Sequence, residues 1–204
     1  MKIIGIGKNY VNDTSEVNSI KNGDQTIFLK AESTLVSNNK NITFPEITNE
    51  LLYEVELVLK IGKKGKNISE KEALSYISEI GVGIDFTAKD VLNKSRENKG
   101  PWALAKSFDG ASPVSGFNAV SKYNDLNNIH FSLLVNGQEK QVGNTSFMIY
   151  NFNEIIAFVS NYMTLEPGDL IFTGTPASGA GQNFKGDHLQ AFIEGELQLD
   201  FKLV

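Results

Sequence analysis

Glu54 and Glu56 stand two residues apart in LLYEVELVLKI, residues 51–61, a run of aliphatic and β-branched residues closed by Gly62. That composition predicts a strand. Side chains alternate across a strand, so Tyr53, Val55, Leu57, Leu59 and Ile61 share an apolar face, and Glu54, Glu56, Val58 and Lys60 share the other. Two carboxylates roughly 6–7 Å apart on one side suit two ligands converging on a hard cation, which takes oxygen donors. The same pattern also describes the solvated face of a half-buried strand. A third acid, Asp85, ends the apolar run GVGIDF just before a helix start. A carboxylate in such company needs a partner, either a cation or the amides of that helix N-terminus. Lys106, flanked by Ala105 and Phe108 in GPWALAKSFDGASPVSG, is a candidate partner for an anion or enolate, or a lysine snorkelling to the surface. The glycine-rich loop GTPASGAGQ lacks the Lys-Ser/Thr of a phosphate-binding P-loop. Its amides, Gly174 among them, and the hydroxyls of Thr173 and Thr175 can instead hold a small carboxylate.

The elements that position these residues follow from local signals. Strands are expected at 2–7, 26–30, 34–37 and 42–44. Ser69-Glu70-Lys71-Glu72 reads as a capping box opening a helix to about Glu79, and Thr87-Ala88-Lys89-Asp90 as another. Strands at 130–135 and 139–142 are joined by Asn136-Gly137, the signal of a type I′ hairpin. Asn151 with Glu154 caps a helix to about Tyr162, Glu166-Pro167-Gly168-Asp169 turns the chain into a strand at 170–173, and two strands fill 188–204. The polar stretch VNDTSEVNSIKN, residues 11–22, predicts a short helix or lid with Asp13 and Glu16 on one face. GIGKNY resembles the start of a dinucleotide fingerprint, but Tyr10 stands where a small residue belongs and no βαβ alternation follows. Strands outnumber helices and neighbours join by tight turns. The expected class is α+β, a mixed β-sheet roll with a few flanking helices, as one domain over 1–204.

Composition narrows the function classes. A net charge of −5 argues against nucleic-acid binding. The absence of cysteine excludes disulfides, thiolate metal sites and a cysteine nucleophile. No apolar run reaches membrane-spanning length and none reads as a signal peptide, so a cytoplasmic protein without membrane contact is expected.

YEVEL, GIDFTAKD, KSFD, NTSFMIYN and IFTGTP, in this order and spacing, resemble the fumarylacetoacetate hydrolase superfamily, specifically its single-domain branch of acylpyruvate hydrolases and oxaloacetate decarboxylases. The resemblance runs nearly end to end. It implies a β-roll whose mouth holds one Mg²⁺ or Mn²⁺ on Glu54, Glu56 and Asp85, with Lys106 beside the ion and Thr175 on the carboxylate of a 2-oxo acid. It also implies cleavage of a C–C bond through an enolate, in acylpyruvate hydrolysis or oxaloacetate decarboxylation, and a homodimer. Tautomerisation of the same oxo acids, or binding without turnover, are the alternatives. The chain departs from the pattern at three places. Hydrolytic relatives carry a lid histidine and glutamate that activate water. Here Glu16 is present and Asp13 replaces the histidine. Lys89 stands for an arginine that contacts substrate, and Leu92 for a glutamine. His130 and His188 lie in expected strands and read as structural.

Overall fold

The computed structural model describes residues 1–21, 24–37 and 39–204. Its centre is a six-stranded mixed sheet in the order Thr26–Lys30, Ile3–Gly7, Leu170–Phe172, Val55–Ile61, Ile77–Ile84, Asn118–Ala119. Only the Ile3–Gly7 and Leu170–Phe172 pair is parallel. A four-stranded antiparallel sheet, Gln138–Asn144, His130–Val135, His188–Ile193 and Glu196–Lys202, faces it. Leu57, Leu59, Val82 and Ile84 from the first sheet and Phe131, Leu133, Leu189 and Leu199 from the second are buried in one shared core. The class is α+β, as expected.

Local chemistry accounts for the elements the sequence announced. Asn136 and Gly137 both have positive φ (53° and 75°), the geometry a type I′ turn demands. The Asn151–Glu154 capping box is complete on both sides and starts the Phe152–Tyr162 helix. Strand pairing overrides local propensity elsewhere. The helix expected to reach Glu79 stops after Glu70–Ala73 and one 3₁₀ turn, because Ile77–Ile84 pairs along Val55–Ile61. The Ser69 hydroxyl donates to the Glu72 carboxylate (2.7 Å) and caps no amide. Residues 42–44 form no strand: Ile42 makes a single bridge to Leu203. Residues 34–37 reduce to the two-residue strand Leu35–Val36. Among the described residues, no helix is long and apolar enough to cross a membrane.

Candidate active site

The run 51–61 is not one strand. It divides at Glu54 into Leu51–Tyr53, which joins a small three-stranded sheet, and Val55–Ile61, which joins the large one. The break is fixed from both sides. The Val55 amide donates to Gln141 Oε1 (2.8 Å), and the Glu54 carbonyl accepts from the Asp85 amide (2.8 Å). Register does the rest: Val55 pairs with Ile84 and Glu56 with Gly83, so Glu54 lies across from Asp85, one residue beyond its strand. One oxygen from each of Glu54, Glu56 and Asp85 lies within 4.8 Å of the others. Asp85 and Glu56 are buried, and Glu54 keeps 20% of its side chain exposed to the adjoining cavity. A solvated strand face is therefore excluded, and the Asp85 side chain is engaged by lysines rather than by a helix terminus.

Two ammonium groups answer the three carboxylates. Lys106, at the end of the short helix Ala103–Lys106, donates to Glu54 Oε2 (2.8 Å) and to Asp85 Oδ2. Lys30, fully buried at the end of its strand, donates to Asp85 Oδ1 and to the Ala111 carbonyl (2.7 Å). Burial would raise Asp85, but Lys106 and Lys30 together hold it below the usual carboxylate range. Burial pushes Glu56 well above that range, and the charges of Asp85 and Glu54 push the same way. Glu54 is raised chiefly by burial, against the pull of Lys106. Burial disfavours the Lys106 ammonium, yet Asp85 and Glu54 outweigh it and keep the group charged. Glu56 is anchored by the Gly174 amide (2.7 Å), which reaches it because Gly174 adopts φ +101°, a conformation L side chains rarely take.

This donor set fits a hard divalent cation. All three groups offer oxygen, three carboxyl groups face two lysines, and the Lys106 ammonium already stands between Glu54 and Asp85. Tyr10 lines the same cavity wall, and burial pushes its hydroxyl above the usual phenol range against a bond with Thr173. The cavity measures about 350 Å³, within the range of small-molecule sites.

The structure brings Lys106 and Thr175 to this cavity with the three acids. Thr175 is clamped: its hydroxyl donates to the Val55 carbonyl (3.0 Å) and accepts from Gln141 Nε2 (2.9 Å). Lys106 belongs to a helical turn rather than the loop expected. Four other candidates do not line the cavity. Gly174 acts indirectly, its amide committed to Glu56. Lys89 starts the Lys89–Glu97 helix, with its amide on the Glu50 carbonyl (2.8 Å). Asp13 caps a 3₁₀ turn by accepting from the Ser15 amide (2.8 Å), and it and Glu16 are both exposed. Asn22, the last residue of the expected lid, lies outside the described residues. Thr87 is no helix cap: its hydroxyl donates to Glu54 Oε1 (3.2 Å). His130 pairs with Asn144 (2.9 Å) and His188 with Asp200 (2.6 Å), both structural contacts.

Sequence reading missed Lys30, Gln141 and Arg96. The signal for Lys30 was its strand alternation, which puts it beside Phe28 on one face of TIFLK. Arg96 follows Leu92 at i, i+4, and both reach the cavity. Nothing local marked Gln141, whose role rests on contacts across the fold.

The model of the fumarylacetoacetate (FAA) hydrolase C-terminal region matches residues 2–202. The chain belongs to the fumarylacetoacetate hydrolase family. It is 37% identical over 201 residues to the mitochondrial oxaloacetate tautomerase of Bos taurus, covering 98% of this chain and 90% of the relative. It is likewise 37% identical over 206 residues to the mitochondrial oxaloacetate decarboxylase of Dictyostelium discoideum, covering 99% and 94%. A fumarylpyruvate hydrolase from Pseudomonas aeruginosa, solved with Mn²⁺ and pyruvate, superposes with a TM-score of 0.89 at 28% identity, over 100% of this chain and 90% of that one. The chain is thus an enzyme of the fumarylacetoacetate hydrolase family, with a carboxylate triad suited to a divalent metal.

Proposed function

We propose that this family member is a divalent-metal-dependent enzyme that carries a 2-oxo acid to its enolate and cleaves the adjoining C–C bond, with oxaloacetate decarboxylation the reaction its residues serve best. One observation carries the reading: the Glu54, Glu56 and Asp85 oxygens converge within 4.8 Å, while the charged Lys106 Nζ stands 2.8 Å from Glu54 in the same cluster. When bound, the divalent ion supplies Lewis acidity at the 2-oxo group and compensates the charge that develops there. The chain's own groups do the remainder. Lys106 keeps a fixed positive charge where the enolate forms, in a largely buried setting that strengthens it. The Thr175 amide, which has no acceptor among the described residues, is free to donate to the substrate carboxylate while Gln141 holds its side chain in place. As the C3–C4 bond of oxaloacetate breaks, CO₂ leaves and its electron pair becomes the pyruvate enolate, which then takes a proton at C3.

Hydrolysis of an acylpyruvate would also need an activated water. No histidine lines the cavity, and Asp13 and Glu16 stand outside it. That same observation favours a second reading, tautomerisation of oxaloacetate, which moves a proton and uses no water. The proposal takes Mg²⁺ or Mn²⁺ as the ion, residues 1–204 as one catalytic domain, residues 11–22 with Asp13 and Glu16 as a lid, Lys89 and Gly174 as support for the substrate, a homodimer and a cytoplasmic setting. A substrate panel tests it. With Mg²⁺ or Mn²⁺, oxaloacetate consumption should exceed acylpyruvate cleavage and stop with chelator. Metal-independent turnover, or none with oxaloacetate, would overturn it.

A further inference from the structure

Lys8 and Arg96 both line the cavity and are both exposed at its rim. Neither has a carboxylate partner among the described residues, whereas Lys60, Lys64 and Lys122 are ion-paired to Glu79, Glu166 and Glu196. We propose that Lys8 and Arg96 form the recognition site for a second carboxylate of the substrate, making the enzyme selective for 2-oxo dicarboxylates. This deepens, and rests on, the reading of the cavity as a 2-oxo acid site.

Three observations place the pair. Arg96 lies one turn after the buried Leu92, and its guanidinium carbon sits 5.1 Å from the centre of the Trp102 ring. Trp102 packs on Phe28 (5.9 Å), whose ring lies 4.9 Å from Lys106 Nζ. The stack therefore seats Arg96 on the same wall as Lys106, but further out. Lys8 follows the Ile3–Gly7 strand in a left-handed conformation (φ 56°), uncommon for a residue with a side chain. The next residue, Asn9, is held by the Tyr150 amide (2.9 Å) and the carbonyls of Tyr150 (3.0 Å) and Thr173 (2.9 Å).

Charge explains why rim cations are needed. The three acids against Lys30 and Lys106 leave one formal negative charge, which a divalent ion converts to one positive. The first carboxylate of an oxo acid cancels that. A second carboxylate finds no compensation in the inner site and must obtain it at the rim, where two unpaired cations stand. Leu92, Pro176 and Ala177 also line the cavity and offer apolar surface to a short carbon spacer.

Oxaloacetate and 2-oxobutanoate differ in one group, carboxylate against methyl, and separate this idea from the broader one. The measurements are KM for oxaloacetate and the inhibition constant of 2-oxobutanoate, with Mn²⁺, for wild type, Lys8→Gln, Arg96→Gln and Arg96→Lys. Each glutamine variant should raise KM for oxaloacetate about tenfold, leave 2-oxobutanoate inhibition within about twofold, and Arg96→Lys should recover most of the loss. Arg96→Glu should raise KM further still, and unchanged thermal melts confirm folding. If oxaloacetate and 2-oxobutanoate move together, or neither moves, the rim site is refuted while the oxo-acid reading stands. If wild type neither consumes oxaloacetate nor is stabilised by 2-oxobutanoate, the oxo-acid reading falls and the rim site with it.

Discussion

Glu56→Gln keeps the shape of the side chain and removes its charge, which isolates the electrostatics of the triad. In the folded, metal-free protein Glu56 holds its proton to a pH well above that at which it ionises in the unfolded chain, because burial and two neighbouring carboxylates oppose its charge. Below the ordinary glutamate pKa both states are protonated and the contribution to stability is complete. Between the ordinary and the raised value the folded state binds one proton more, so stability falls by about 1.4 kcal/mol per pH unit. Each such step corresponds to about 3–6 °C in Tm for a chain of this size. Glutamine takes over the Gly174 hydrogen bond through its carbonyl oxygen and abolishes that slope. Without metal, the variant should therefore melt above wild type at alkaline pH and close to it in mild acid. With metal, the order reverses, because cation binding needs the ionised carboxylate and stabilises only the protein that offers it. Thermal melts of both proteins across about pH 5 to 8, in chelator and in Mg²⁺ or Mn²⁺, read the effect. Equal metal-free slopes, or equal stabilisation by metal, would refute the reasoning.

Lys106→Ala should lower metal-loaded turnover of oxaloacetate by well over tenfold, that is by more than about 1.4 kcal/mol of barrier. A loss smaller than tenfold would remove its electrostatic role. Lys30→Met leaves Asp85 without one of its two buried partners and should cost about 3–5 kcal/mol of stability in chemical denaturation. Adding Asp85→Asn should recover part of that, and a single variant within about 1 kcal/mol of wild type contradicts the assignment. Asp13 is held below the usual carboxylate range by bonds from Ser15, which makes it a poorer base still. Asp13→His should raise acylpyruvate hydrolysis selectively. Brisk hydrolysis by wild type, unaffected by Glu16→Ala, would show that water is activated elsewhere.

Features carried by a few adjacent residues were legible in the sequence. Asn136-Gly137 and Asn151 with Glu154 impose their turn and cap whatever surrounds them. The three acids and Lys106 were legible as residue types, and the family pattern supplied their meeting. What stayed hidden depends on partners far along the chain. The break at Glu54 is set by Gln141, 86 residues away from Val55. The lost end of the Ser69 helix was decided by pairing with Val55–Ile61. Thr87 satisfies every rule for a cap, yet its hydroxyl turns to Glu54. Lys30 reads as a strand-end lysine until Asp85, 55 residues on, folds against it.

The central claim is that Glu54, Glu56 and Asp85 hold the divalent ion on which the oxo acid is activated. Anomalous diffraction from crystals grown with Mn²⁺ and pyruvate tests it most directly. One manganese peak is expected among the three carboxylates, with pyruvate beside it and Lys106 Nζ drawn back from Glu54 to face the ligand. A peak elsewhere, or pyruvate bound away from these acids in an active protein, would contradict it.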